Sequence, residues 1–434
     1  MLENLRRHLF WVLDFFKGGK VNSNYKDVKK INENSTLSQI LDSNKDKLDL
    51  LLKHIVSTVP FYSSYDINNE KLTSFPVVNK LIIRENFENF KSINFLNSHN
   101  HMVTTSGSTG QPFKIYHDLN KRNRNTADTI YFGQKAGFKI GNRLFYLRLW
   151  DKQYKKNELL SWFQNIAMYS VDDMDDNRIK KLIDELKNNG KGKGILGYSS
   201  ALQTLCKYLD RIEHKPIHGK CSSVIAIAET LNEYVKERFN YYFGIEAVSR
   251  YSNSENGIIA QQALNSKTGH FKINWASYHI EILDLNKDIP VPLGTLGRIV
   301  ITDLYNYAMP MVRYDTGDVG IIKNVEGELV FTKIDGRKMD MFTNTKGEFL
   351  SSHIIHKILQ YRNIDQFQFI QEERANYTIK LKLLENFNFE DEEKIIKEYE
   401  AYFGDGSSVN VVYVDHIPAL KSGKRKLVVN NVLM

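Results

Sequence analysis

Apolar positions along the chain change period from segment to segment. Between Thr36 and Ser57, Leu37, Ile40, Leu41, Leu48, Leu50, Leu51, Leu52, Ile55 and Val56 recur at the spacing of an amphipathic helix. Val59-Pro60-Phe61-Tyr62 ends it, because proline has no amide to donate. Residues 2–17 predict an aromatic-rich helix flanked by Arg6, Arg7, Lys17 and Lys20, and residues 121–137 predict another. Ser74 to Lys80 reads as extended and leads to a short charged helix from Leu81 to Phe90. Met102-Val103 and Ile115-Tyr116 predict strands on either side of a loop.

From Asn142 the apolar runs shorten to strand length. Asn142 to Leu149 is one. Gly194 to Ser200 is a strand, turn and helix start, with the helix continuing through Leu202, Leu205 and Leu209. Ser223 to Ala228 is a buried-type strand, followed by a helix at 231–243 and a strand at 245–251. Strands alternating with helices at this spacing predict α/β layers. The charged segment 151–194 shows no settled period, and its Asp172-Asp173-Met174-Asp175-Asp176 run reads as a solvated turn. Past Gly257 the pattern turns β-rich, at 279–283, 297–302 and 329–332. From Asp335 it predicts strand–helix–strand–strand–helix–strand, with helices near 351–361 and 391–403. The expectation is a large layered α/β N-terminal domain at 1–335, opening with a helical segment at 1–35, and a small α+β domain at 336–434.

Composition narrows the function classes. With 42% hydrophobic and 12% aromatic residues in 434, the chain has ample material for packed cores, which excludes wholesale disorder. The net charge of +8 is spread along the chain, suiting anionic small molecules or an acidic membrane surface. It forms no dense stripe of the kind that nucleic acid asks for, so no nucleic-acid partner is expected. Cys206 and Cys221 have no Cys-x-x-Cys spacing, which fits a reducing compartment. No apolar run approaches the roughly 20 residues that span a bilayer. Asp14 interrupts the apolar N-terminal run and no small-residue cleavage site follows, so a cytoplasmic protein is expected. The 2–17 helix has two readings: an in-plane anchor at the inner face of the membrane, or a helix docked on the protein or on a homodimer partner.

Candidate chemistry centres on Thr104-Thr105-Ser106-Gly107-Ser108-Thr109-Gly110-Gln111-Pro112. Glycines let the backbone turn back with positive φ, and successive amides with hydroxyls make a concave anion site. The loop is not a Walker P-loop, which needs Gly-Lys-Ser/Thr opening a helix. Further motifs sit where strands end: Gly197-Tyr198-Ser199-Ser200, Ala228-Glu229-Thr230-Leu231 and Tyr251-Ser252-Asn253-Ser254-Glu255. Carboxyl ends of such strands are where ligands collect. Asn306 to Gly320, Asp335-Gly336-Arg337 and Ser422-Gly423-Lys424 complete the set. Singly, Asp318 reads as a turn carboxylate, Arg313 as a structural cation paired with an acid, and Lys424 as a surface lysine.

Together and in this order, with Val59–Tyr62 and Pro76-Val77-Val78-Asn79-Lys80, these motifs resemble the adenylate-forming (acyl-AMP) superfamily. Within it the chain is most similar to phenylacetate–coenzyme A ligases and their capsule-biosynthesis relatives. The resemblance implies a mobile C-terminal domain and an ATP-dependent ligase that makes an acyl-AMP, releases pyrophosphate and passes the acyl group on. The acceptor would be a sugar amine or hydroxyl in surface polysaccharide assembly, or coenzyme A in an aryl– or acyl–coenzyme A ligase. A catalytically silent nucleotide-binding scaffold is the remaining alternative. The implied cofactors are ATP and Mg²⁺.

By resemblance, Ser106, Gly107, Ser108, Thr109 and Gly110 hold the β- and γ-phosphates, Glu229 and Thr230 lie beside the adenine, and Tyr251 lies against the base. Ser254 and Glu255 serve Mg²⁺ and the α-phosphate, Asp318 the ribose hydroxyls, and Arg337 the ribose from the hinge. Lys424 acts during adenylation. The chain departs from the family pattern at Met339, where an acidic residue is usual and Asp340 follows, and at Ser252, where glycine is usual. The acid pocket is expected among Tyr131–Phe145, Gly197–Ser200 and Ala226–Ser254, with no charged residue announcing the acid.

Overall fold

The computed structural model describes residues 2–65, 71–105, 113–150, 157–188, 192–266, 268–337, 341–350, 355, 358, 361, 363–384, 391–418 and 426–432. The chain divides into two compact units, one of residues 1–316 and 320–333, the other of 317–319 and 334–434.

The first unit begins with α1 (Leu2–Phe16), α2 (Lys20–Asn34), α3 (Leu37–Thr58) and α4 (Lys80–Glu85). Then come β1 (His101–Thr105), β2 (Phe113–His117), α5 (Leu119–Lys135), β3 (Leu144–Arg148), α6 (Glu158–Gln164), β4 (Ile166–Ser170) and α7 (Asp176–Lys187). Next are β5 (Lys193–Tyr198), α8 (Ser199–Arg211), β6 (Cys221–Ile227), α9 (Glu233–Phe243) and β7 (Ala247–Asn253). The antiparallel strands β8 (Gly257–Gln262), β9 (Phe271–Ile273), β10 (Tyr278–Leu283) and β11 (Gly297–Asp303) follow. β12 (Tyr314–Val325) and β13 (Glu328–Arg337) carry the chain between the units.

These strands form a sheet in the order β10-β11-β12-β13-β9-β8-β7-β6-β5-β3-β4. From β4 to β7 the pairing is parallel, and its register aligns Ala167, Phe145, Ile195, Val224 and Ala247 in one row. That row is buried under Ile179, Leu182 and Leu186 of α7, Leu202, Leu205 and Leu209 of α8, and Val235 and Phe239 of α9. On the opposite face Ile225 and Val248 pack against Ala136, at the end of α5. A sheet buried on both faces explains the near-continuous apolar runs of β5 and β6. β1 and β2 form a separate antiparallel pair.

Within the undivided charged segment 151–194, the structure places α6, β4 and α7. β4 escaped notice because a five-residue edge strand alternating buried and half-buried positions carries little pattern.

α1 docks through close backbone approach and polar contacts. At Gly141, with φ 87°, an added Cβ would lie 2.3 Å from the Glu3 carbonyl oxygen. Arg7 Nε donates to Ile140 O at 3.0 Å. Asp14 accepts from the amides of Val21 (3.1 Å) and Asn22 (2.9 Å), so a carboxylate from α1 caps the N-terminal turn of α2. The other side of α1 exposes Leu2, Leu5, Leu9, Val12, Leu13, Phe15 and Phe16. Arg6 lies 5.2 Å from the ring centre of the exposed Trp162 on α6, beside exposed Leu159 and Leu160.

α5 carries a buried ionic layer. Lys121 Nζ meets Asp303 Oδ2 at 2.6 Å with both side chains fully buried, and Lys121 also donates to the Tyr278 hydroxyl at 3.2 Å. Arg124 pairs with Asp27 at 2.6 Å and Asp128 at 3.7 Å.

In the second unit, β14 (Phe342–Thr343) and β15 (Phe349–Leu350) pair with each other. β16 (Ile364–Glu373), β17 (Asn376–Leu383), α10 (Glu392–Phe403), β18 (Ser408–Tyr413) and β19 (Val428–Asn430) follow. The sheet order is β18-β17-β16-β19, closed on one side by Ile395, Tyr399 and Phe403 of α10. The helix expected near 351–361 lies largely outside the described residues, of which Ile355 and Ile358 are buried in this core.

Candidate active site

The site is organised around one buried carboxylate. β7 and β8 join through a tight turn at 254–256, in which Asn253 Oδ1 accepts from the Asn256 amide at 2.8 Å. Ser254 is exposed on the turn, whereas Glu255 is only 2% exposed. Glu255 Oε1 receives Lys80 Nζ at 2.8 Å and the Tyr314 hydroxyl at 2.7 Å. His117 Nε2 meets the Glu255 carbonyl oxygen at 2.8 Å, and burial pulls this imidazole down to about 4, so it is neutral near pH 7.

Three distant segments reach Glu255 by definable routes. The extended Pro76–Asn79 stretch lies against the start of β12, with Val78 N donating to Arg313 O at 3.0 Å and Asp315 N donating to Val78 O at 2.8 Å. Asn79 caps α4 by accepting from the Leu81 and Ile82 amides, which fixes Lys80 at its first turn. Lys80 remains 32% exposed, so its ammonium is open to solvent as well as to Glu255. Phe113 stacks on Tyr314 at 6.4 Å and lies 5.5 Å from Lys80 Nζ. Phe113 pairs with Thr105 across β1 and β2. These two residues anchor the ends of the hydroxyl-glycine loop, whose Ser106, Gly107, Ser108, Thr109 and Gly110 lie outside the described residues. The Thr105 hydroxyl is buried with no hydrogen-bond partner among the described residues.

The other expected site residues are distributed as follows. Tyr251 donates to Thr316 Oγ1 at 3.3 Å and meets Phe331 edge-on at 6.3 Å. Glu229 follows Ala228, whose φ of 70° is left-handed, and its Oε2 accepts from the Ser200 amide at 2.8 Å. Its carboxylate thus sits on the N-terminus of α8, and half-buried Thr230 adjoins it. Asp318 lies half-buried on β12, and Arg337 ends β13 exposed; both belong to the second unit. Lys424 lies outside the described residues, as do Met339 and Asp340. Arg313 is structural: its guanidinium holds Glu281 through two contacts of 3.0 and 3.1 Å.

Lys80 and Tyr314 had no assigned role in the sequence. Their signal was present, since both fall inside motifs that carry the resemblance, but only the fold shows that they share Glu255. Among the described residues, no three of His, Cys, Asp and Glu gather into a metal cage. A single carboxylate with a hydroxyl nearby suits Mg²⁺, which is commonly held by one or two carboxylates plus substrate phosphates.

Over 93% of this chain and 91% of that chain, the fold matches a 2-hydroxyisobutyryl-CoA ligase in complex with 2-HIB-AMP, with TM-score 0.71 and 16% sequence identity. ATP-bound MatB from Rhodopseudomonas palustris matches 75% of this chain and 66% of its own, with TM-score 0.55 and 14% identity. The chain has the fold of the adenylate-forming ligases. Residues 341–431 match the CapK C-terminal domain. The chain is 22% identical to Protein CapK of Staphylococcus aureus over 448 residues, covering 96% of this chain and 94% of that protein.

Proposed function

We propose that the protein is an AMP-forming ligase: it activates a carboxylic acid as acyl-AMP, releases pyrophosphate, and transfers the acyl group to an acceptor in surface polysaccharide assembly. The observation that carries this reading is the buried Glu255, held by Lys80 and Tyr314 beside the anchors of the hydroxyl-glycine loop. The 2-HIB-AMP in the ligase of similar fold, the ATP in MatB and the relation to CapK support it. The aryl– or acyl–coenzyme A ligase reading draws support from the same ligase, which has been captured with 2-HIB-AMP and CoA together.

Each residue then has a part. The 106–110 loop amides and hydroxyls bind the β- and γ-phosphates. Lys80 offsets their charge, and Glu255 with Ser254 would hold Mg²⁺, which neutralises charge on the phosphates when bound. Tyr251 lies against the adenine, with Glu229 and Thr230 bordering it, and Asp318 and Arg337 bind the ribose. Lys424 neutralises charge that develops as the carboxylate oxygen bonds to the α-phosphorus and pyrophosphate leaves.

ATP–pyrophosphate exchange with a panel of acids tests the reading. Exchange is expected with at least one acid, and Lys424→Ala should reduce it by about 10²-fold while ATP affinity stays within about threefold. No exchange with any acid, and ATP affinity unchanged in both Lys424→Ala and Asp318→Ala, would leave the scaffold alternative.

The exposed apolar stripe of α1 supports a peripheral contact with anionic lipid at the cytoplasmic face, since exposed Lys17 and Lys20 flank it. No helix among the described residues is long and apolar enough to cross a membrane. Wild type should float with vesicles containing anionic lipid, and Leu9→Asp/Phe16→Asp should not, with exchange unaltered in both. Loss of a dimer in that variant, with no flotation of wild type, would reassign the stripe to a homodimer contact.

A further inference from the structure

Five lysine and arginine side chains are buried among the described residues, and four have their charge answered. Lys121 faces Asp303, Arg124 faces Asp27 and Asp128, and Arg313 grips Glu281. Lys193 donates to the carbonyls of Glu185, Leu186 and Asn188. Arg250 is the exception. It is 8% exposed, its Nε donates to Gln261 Oε1 at 2.8 Å, and Gln261 Nε2 donates in turn to Phe132 O at 2.8 Å. The guanidinium is thereby held between β7 and α5, yet Nη2 is buried with no hydrogen-bond partner among the described residues. Among the described residues no carboxylate answers its charge; burial pulls its pKa down to about 10, and Tyr146 pushes the other way. A desolvated cation without a counter-charge is costly unless an anion arrives with a ligand.

Its place in the fold says where that anion comes from. Arg250 immediately precedes Tyr251 and lies near the carboxyl end of a parallel-paired strand, where open α/β sheets take up ligands. Tyr146 on β3, whose charge acts on Arg250, also lies 5.6 Å from the Arg148 guanidinium at the end of that strand. The acid pocket is expected across this segment, where no charged residue announces the acid by sequence alone; Arg250 lies within it. With Nε committed to Gln261, the free Nη2 belongs to the edge that fits the fork of a carboxylate.

We propose that Arg250 binds a second carboxylate on the acid substrate, so that the acid activated is a dicarboxylic acid. This rests on the acid-activating reading above and narrows its substrate class.

The test uses the full chain and acids paired by length: malonate against propionate, succinate against butyrate, glutarate against valerate. In ATP–pyrophosphate exchange at least one dicarboxylate should exceed its monocarboxylate partner by about 10²-fold in kcat/KM. Arg250→Met, which keeps the volume and removes the charge, should erase that preference with its melting temperature near wild type. Arg250→Lys should retain part of it, and serves if the methionine variant does not fold. Preference of wild type for the monocarboxylates, or equal losses on both members of a pair in the variants, would overturn the proposal. If neither series exchanges, melting curves separate the two ideas. A dicarboxylate that stabilises wild type but not Arg250→Met would uphold the anion site and remove the ligase reading. No stabilisation would remove the anion site as well.

Discussion

Glu255→Gln is expected to lose about 10³-fold in ATP–pyrophosphate exchange, several kcal/mol of charge stabilisation at the reacting phosphates. The substitution keeps the volume and leaves an amide oxygen to accept from Tyr314 and Lys80. It removes the charge that a divalent cation would need and leaves the Lys80 ammonium without its counter-ion. Both the apparent affinity for Mg²⁺ and kcat should fall, whereas the melting temperature should move little. Tyr314→Phe is the matched control: it deletes one donor to the same carboxylate oxygen while keeping the charge, and about a tenfold loss is expected from that single hydrogen bond. A glutamine variant within tenfold of wild type would place the chemistry elsewhere.

The second large effect concerns stability. Lys121→Met should destabilise the first unit by about 3–5 kcal/mol, because it leaves Asp303 ionised, buried and unpaired. Among the described residues, the other Asp303 oxygen accepts a hydrogen bond from the Tyr305 amide at 3.0 Å. Replacing both partners, Lys121→Met with Asp303→Leu, should restore more than half of the loss, which a double-mutant cycle in urea measures. There is a functional corollary. Lys121 donates to the Tyr278 hydroxyl, which itself donates to Asn256 O, next to Glu255. The single variant should therefore raise the KM for ATP more than it lowers kcat.

Much of this architecture could be read before any coordinates. The β5-α8-β6-α9-β7 succession was legible because each strand is a short apolar run and each helix a periodic one. The motif residues at the strand ends were legible through resemblance, which supplied Glu255, Tyr251 and Asp318 as a set. Pairing across the chain was not. Nothing local says that Lys80 at the first turn of α4 reaches Glu255, because that contact depends on Val78 lying beside Tyr314. Likewise Glu229 read as a group beside adenine, and no sequence rule shows its carboxylate capping α8. Arg250 was overlooked for the opposite reason: an arginine in an apolar strand reads as one polar interruption, and only the missing counter-charge makes it informative.

The bridge between Val78 and Tyr314 bears on synthesis as well. Phe75, Val78, Phe90, Phe113 and Ile115 share one apolar cluster with Leu304, Met309, Met311, Val312 and Tyr314. At about 5–20 residues per second, Leu304 follows Ile115 from the ribosome by roughly 10–40 s. Throughout that interval the early half of the cluster waits uncovered. A nascent chain halted before Leu304 should engage chaperones strongly, and one released beyond Tyr314 should let them go.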